Sequence, residues 1–181
     1  MNKALFLDRD GIINIDYGYT YKASEFEPVD SIVDLISKAK NKNYLVICIT
    51  NQSGIQKGYF TQKDFYDFMD VINSYLYKKS GYTLTKTYFC PHDDLINLKN
   101  NNKVCNCRKP KNGLFEKAIE EYCIDVDQSI MVGDKLTDVE AAFYSKIKKR
   151  ILVNSKYNKN IGISEFYTHR FQLLKEVLKV I

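Results

Sequence analysis

Lys3-Ala4-Leu5-Phe6-Leu7-Asp8-Arg9-Asp10-Gly11 is a short, continuous apolar run that stops on two carboxylates and a glycine. A run of this kind, closed by turn residues, is the pattern of a strand buried on both faces of a parallel sheet. Two carboxylates two residues apart in extended chain project to the same side, and Gly11 permits a sharp turn after them. Asp8 and Asp10 can then share one metal ion. An Asp-x-Asp pair is common by itself, so its weight depends on what stands at the ends of the other strands.

Similar runs recur at residues 44–49, 85–89, 129–132 and 150–153, and the segments between them carry a helical period. Ile32, Val33, Leu35, Ile36 and Ala39 follow the helix-start residues Pro28 and Asp30. Thr61, with Asp64 three residues on, opens a second helix that runs through Phe65, Phe68, Met69, Ile72 and Leu76 and stops before Gly81. Leu114, Phe115, Ala118, Ile119 and Tyr122 mark a third, residues 139–144 a short fourth, and Phe171, Leu174, Val177 and Leu178 a closing helix. Residues 90–113 show no period, and the Asn/Lys-rich stretch 97–103 reads as a solvated loop. The alternation predicts an α/β fold: a Rossmann-like parallel sheet with helices on both faces, residues 1–181 forming a single domain. In such sheets ligands gather outside the carboxyl ends of the strands.

No linker-like stretch divides the 181 residues, and no window approaches the roughly 18 to 20 apolar residues of a membrane span. The first apolar run is too short for a signal peptide, so a soluble, cytoplasmic protein is expected. A net charge of +5 suits an anionic ligand, but the lysines are scattered, and the 14 tyrosines are spread along the chain, several of them in predicted helices or strands. Neither nucleic acid nor membrane is an expected partner. Without a heptad run, a monomer is the expectation.

The predicted strand ends carry the chemistry. Thr50-Asn51-Gln52-Ser53-Gly54 offers hydroxyls and amides to phosphate oxygens, and Gly133-Asp134-Lys135 adds a carboxylate, with Asp138 four residues beyond. Arg108-Lys109-Pro110 supplies two cations. This set suits phosphoryl transfer to a carboxylate, with Mg2+ as a hard ion that takes oxygen ligands. Of five cysteines, Cys48 and Cys123 sit in apolar surroundings and read as core. Cys90-Pro91-His92 and Cys105-Asn106-Cys107 give three thiolates and one imidazole, a closed tetrahedral set for a structural Zn2+. The loop 90–107 would thereby fix Arg108 and Lys109, which follow Cys107 directly.

In that order, Leu7-Asp8-Arg9-Asp10-Gly11, Thr50-Asn51-Gln52, Arg108-Lys109-Pro110 and Gly133-Asp134 resemble the four motifs of the haloacid dehalogenase superfamily. The resemblance implies a Mg2+-dependent phosphatase in which Asp8 is the nucleophile and Asp10 the general acid and base. It implies that Thr50 and Lys109 hold the transferring phosphoryl group, and that Asp8, the backbone carbonyl of Asp10, and Asp134 bind Mg2+. Ile12 departs from the pattern, which often has Thr; a weakened turn contact is the expected consequence. The Cys/His loop before Arg108 narrows the likeness to the capless group that contains heptose bisphosphate phosphatases and histidinol-phosphate phosphatases. Ser53, Lys135 and Asp16-Tyr17-Gly18-Tyr19 are similar to the heptose enzymes, which often have His where Tyr17 stands. By this likeness the substrate contacts are Asp16, Tyr17, Gly18, Tyr19, Asn51, Gln52, Ser53, Arg108 and Lys135, beside Thr50 and Lys109. The implied reaction removes the 7-phosphate of a heptose 1,7-bisphosphate on the way to activated heptose for surface polysaccharide, with histidinol phosphate as the alternative substrate.

Overall fold

The computed structural model describes residues 1–100 and 104–181. In chain order the elements are β1 (Lys3–Leu7), α1 (Ile32–Asn41), β2 (Tyr44–Asn51), α2 (Gln62–Ser80), β3 (Lys86–Cys90), α3 (Asp94–Lys99), α4 (Gly113–Tyr122), β4 (Ile130–Gly133), α5 (Leu136–Tyr144), β5 (Lys149–Val153) and β6 (His169–Phe171). All six strands lie in one sheet of order β3-β2-β1-β4-β5-β6, and every pairing is parallel.

Alternation along β1 divides the apolar residues between two faces. Leu5 and Leu7 join a core with Leu35 and Ile36 of α1 and Phe65, Phe68 and Ile72 of α2. Ala4 and Phe6 join a second core with Leu114, Phe115 and Ala118 of α4 and Ala141 and Ala142 of α5. A strand buried on both faces can only be apolar along its length, so its first polar residues, Asp8 to Asp10, mark where it leaves the sheet. Ile12 is fully buried in the first core. An apolar side chain there fills core space, whatever turn contact a hydroxyl would make.

Four expectations change. Phe171 belongs to edge strand β6, pairing with Val153, instead of to a closing helix. The tail then winds into a 3-10 helix over Leu174–Lys179, and Leu174 and Val177, one three-residue turn apart, are its buried residues. Cys123 is exposed; it ends α4 in the left-handed region, at φ 48°. Residues 90–113 contain α3, six residues too short to show a period, which Asp93 caps by accepting from the amides of Leu95 and Ile96. Asn97, read as loop, is buried in α3; residues 101–103 lie outside the described residues. Among the described residues no helix is long and apolar enough to cross a membrane.

Candidate active site

The succession of strands across the sheet reverses between β1 and β4: β1, β2 and β3 step to one edge, β4, β5 and β6 to the other. The crevice at such a switch point is where open α/β sheets hold ligands. Asp8 leaves β1 on one side of it, its amide still bonded to the Val132 carbonyl, and Asp134 leaves β4 on the other. Gly11, at φ 93°, lets the two ends meet: a Cβ there would stand 2.4 Å from Asp134 Oδ2. Gly133 plays the same part for Asp138, whose Cβ would be 2.3 Å from an added one.

The two carboxylates of the opening pair do not share a partner as extended geometry suggests. Asp8, Asp134 and Asp138 each offer an oxygen within 4.8 Å of the others, and all three are buried. The turn carries the Asp10 side chain elsewhere. Its Oδ1 accepts from Arg9 Nε at 3.0 Å, Arg9 Nη2 at 2.8 Å and Asn14 Nδ2 at 3.1 Å, and its Oδ2 accepts from Gln52 Nε2 at 2.9 Å.

Lys109, 3% exposed, reaches into this cluster. Its ammonium donates to Asp8 Oδ1 at 2.8 Å and to the Ile49 carbonyl at 2.6 Å, and pairs with Asp138 Oδ1 at 2.7 Å. Burial pulls the Lys109 pKa down, but Asp138 and Asp8 outweigh it and hold the amine above the ordinary lysine value. Asp8 is nonetheless raised, by burial and then by Asp138, because one shared cation only partly offsets both. Asp134 is pushed up to about 8, by burial first and then by Asp138 and Asp8. Its Oδ1 is buried with no hydrogen-bond partner among the described residues. Three buried carboxylates, one with an orphaned oxygen, fit a hard divalent cation, which would relieve both the repulsion and the missing contact.

Beside the cluster lies a cavity of about 360 Å³ lined by Asp10, Asp16, Gly18, Tyr19, Asn51, Gln52, Ser53, Arg108, Lys109, Lys135, Thr137 and Tyr157. Thr50 is buried at the end of β2, its hydroxyl accepting from the same Gln52 amide that bonds Asp10. Asn51 clamps the Lys109 backbone from both sides, donating to its carbonyl at 3.1 Å and accepting from its amide at 3.0 Å. Tyr17 is not among the lining residues: its hydroxyl meets Glu27 and its ring lines a neighbouring hollow with Tyr21 and Tyr59.

Thr137 and Tyr157 are wall residues that the motif reading did not find. Tyr157 donates to Asp16 Oδ2 at 2.7 Å, and Lys135 lies 3.4 Å from the same oxygen and 4.4 Å above the Tyr157 ring. Burial raises the Asp16 pKa, but the Tyr157 hydroxyl and Lys135 overcome it, so Asp16 is held below its ordinary value. Tyr157 follows β5, so carrying the strand-end rule one strand further would have pointed to it.

The second cluster is also assembled. Cys90 Sγ lies 3.6 Å from His92 Nδ1, 3.6 Å from Cys105 Sγ and 2.9 Å from Cys107 Sγ, and His92 Nδ1 is 3.3 Å from Cys107 Sγ. Sulfur ligands at the usual zinc distance stand about 3.7 Å apart on the edges of a tetrahedron, so the set fits zinc with small adjustments. The loop is joined to the cavity as well, since Arg108 Nη1 donates to the His92 carbonyl at 2.9 Å.

A family model described as HAD-hydrolase-like matches residues 106–157, the span from the Cys/His loop through Lys109 and Asp134 to Tyr157. Together with the sheet order and the strand-end carboxylates, this defines the class as a HAD-type hydrolase. The chain is 38% identical over 182 residues to a D-glycero-beta-D-manno-heptose-1,7-bisphosphate 7-phosphatase of Haemophilus influenzae, covering 99% of this chain and 98% of that protein. It is 40% identical over 176 residues to a D-glycero-alpha-D-manno-heptose-1,7-bisphosphate 7-phosphatase of Campylobacter jejuni, covering 97% and 94%. A D,D-heptose 1,7-bisphosphate phosphatase from B. bronchiseptica, crystallised with magnesium and phosphate, is similar at a TM-score of 0.82 and 25% identity over 99% of both chains. The chain belongs to the D-glycero-D-manno-heptose-1,7-bisphosphate 7-phosphatase family.

Proposed function

We infer that the protein hydrolyses the 7-phosphate of D-glycero-D-manno-heptose 1,7-bisphosphate through a phosphoenzyme on Asp8. The observation that carries this reading is the buried Asp8, Asp134 and Asp138 cluster, braced by Lys109 and set beside a polar cavity of about 360 Å³. A cavity of that size and lining suits a small polyhydroxylated anion better than a polymer.

Lys109 holds Asp8 Oδ1, which leaves Oδ2 to attack phosphorus in line with the departing sugar oxygen. Asp10 gives that oxygen a proton as the phosphorus–oxygen bond breaks. Water then attacks the aspartyl phosphate, Asp10 takes its proton, and Asp8 is released with inorganic phosphate. The Thr50 hydroxyl and the Lys109 ammonium steady the transferring group. Asp8, the Asp10 carbonyl and Asp134 would hold Mg2+. When bound it neutralises charge on the phosphoryl oxygens. Cys90, His92, Cys105 and Cys107 would hold structural Zn2+.

Asp16, Gly18, Tyr19, Asn51, Gln52, Ser53, Arg108 and Lys135 meet the sugar and its remaining phosphate; Tyr17 shapes the loop from outside. The free thiols suit a reducing compartment, which supports a cytoplasmic enzyme supplying heptose 1-phosphate for activation and surface polysaccharide; a monomer is the working assembly. The assay that tests the substrate compares kcat/KM for phosphate release, with Mg2+, on both anomers of the bisphosphate and on histidinol phosphate. The bisphosphates should be preferred, and a preference for histidinol phosphate overturns the assignment.

A further inference from the structure

Arg9 stands between the nucleophile and the acid–base carboxylate, and no step above uses it. Its side chain is 0% exposed, an uncommon state for arginine. The guanidinium carbon lies 5.0 Å from the centre of the Phe68 ring and 5.7 Å from that of Phe65, both on α2. Nε and Nη2 form a fork on Asp10, Nη2 also reaching Oδ2 at 3.0 Å. The same Nη2 donates to the Thr20 carbonyl at 2.7 Å. Nη1 is buried without a partner among the described residues.

A purely structural role accounts poorly for this arrangement. Buried ion pairs can often be replaced by apolar residues without loss of stability, and a floor of Phe65 and Phe68 would accept one. An apolar residue cannot supply a planar pair of donors that fixes one carboxylate at one angle. That carboxylate is the group asked to pass a proton twice, and the Thr20 carbonyl closes the segment whose Asp16, Gly18 and Tyr19 wall the cavity. Proton transfer depends steeply on the approach of donor and acceptor, so a rotating Asp10 would serve neither step well.

We propose that Arg9 is a positioning residue that locks the Asp10 carboxylate for both proton transfers and ties it to the substrate loop through the Thr20 carbonyl. The proposal rests on the phosphoenzyme reading above. In the first step the Asp8–phosphorus bond forms, the phosphorus–sugar oxygen bond breaks and the Asp10 proton goes to the sugar oxygen. In the second, water's oxygen bonds phosphorus, the Asp8–phosphorus bond breaks and water's proton returns to Asp10.

The test uses the full chain with Mg2+, wild type and the variants Arg9→Met and Arg9→Lys, on the heptose bisphosphate and on p-nitrophenyl phosphate. Nitrophenolate leaves without a proton, so its release in the first turnover does not need the acid. Both variants should lose on the order of 10²-fold in kcat on the bisphosphate, the scale of acid–base catalysis, with KM changed by less than about threefold. On p-nitrophenyl phosphate the first-turnover burst should stay within about threefold of wild type, while steady-state turnover slows and acid-precipitable phosphoenzyme accumulates. An equal loss of burst on both substrates, or wild-type turnover in Arg9→Lys, overturns the proposal. If Arg9→Met does not fold, Arg9→Lys decides on the same contrast. A wild-type enzyme that never forms phosphoenzyme overturns instead the reading on which the proposal rests.

Discussion

Asp134 is the carboxylate of the site whose Oδ1 has no partner among the described residues, while its neighbours share Lys109. Its pKa, 3.8 in an ordinary setting, stands at about 8 in the folded chain without metal. A carboxyl raised in this way stabilises the fold while protonated in both states, below about pH 4, and that contribution drains away as pH rises to about 8. In chelator at pH 8, Asp134→Asn is therefore expected to melt above wild type, by on the order of 5 °C, with the two converging near pH 4. Saturating Mg2+ should reverse the order at pH 8, since it binds the charged form. Thermal melts with and without Mg2+ check this; an Asn variant that melts lower in chelator at pH 8 contradicts the crowding. At this scale Asp8, Thr50 and Asp134 were legible because each is a polar residue at the end of an apolar run, and Lys109 because it is one of two adjacent cations after the Cys/His loop. Asp138 was visible only as a spacing: its bonds to Lys109 and to the Lys135 amide depend on Gly133 having no side chain. Tyr157 is announced only by its place after β5, because its role comes from meeting Asp16 from 141 positions away.

At the scale of the element, the proposed function gives the loop between β3 and α4 the choice of substrate. Its Cys/His cluster adjoins Arg108, and the His92 carbonyl holds that guanidinium directly. Asp93, the cap of α3, pairs with Lys57 at 3.0 Å, and Lys57 donates to the Tyr19 hydroxyl at 2.8 Å, so the loop also braces the opposite wall of the cavity. Cys107→Ser should lower bound zinc from one per chain and raise KM for the bisphosphate about 10-fold, the scale at which groups behind a metal site act. Cys123→Ser, at an exposed position, should change neither. Full zinc in the Cys107 variant, by metal analysis, argues against the ligand set. The four residues of the Cys/His cluster could be read from spacing, whereas α3 could not, because six residues capped by Asp93 are held by Gln56 and Lys57 instead of by an apolar stripe. The tail failed as a helix for a related reason: Phe171, Leu174, Val177 and Leu178 satisfy a helical period, but strand pairing with β5 claims the first of them.

At the scale of the whole molecule, the sheet order makes the site. β1 lies in the middle, between β2 and β4, and all three run parallel, so Asp8, Thr50 and Asp134 arrive at one end of the sheet from three segments of chain. The two apolar cores set the strands rigidly behind it. The parallel α/β order was readable from alternating runs; β6, three residues long, has too little sequence to announce itself. On the proposed function, this crevice removes one phosphate, the 7-phosphate, through Asp8. Phosphorus NMR of D-glycero-D-manno-heptose 1,7-bisphosphate incubated with enzyme and Mg2+ tests it most directly. The 7-phosphorus signal should convert to inorganic phosphate while the 1-phosphorus signal persists, and Asp8→Asn, folded and at equal concentration, should be slower by about 10³-fold or more. Loss of the 1-phosphate, or turnover by the Asn variant near that of wild type, would contradict the account.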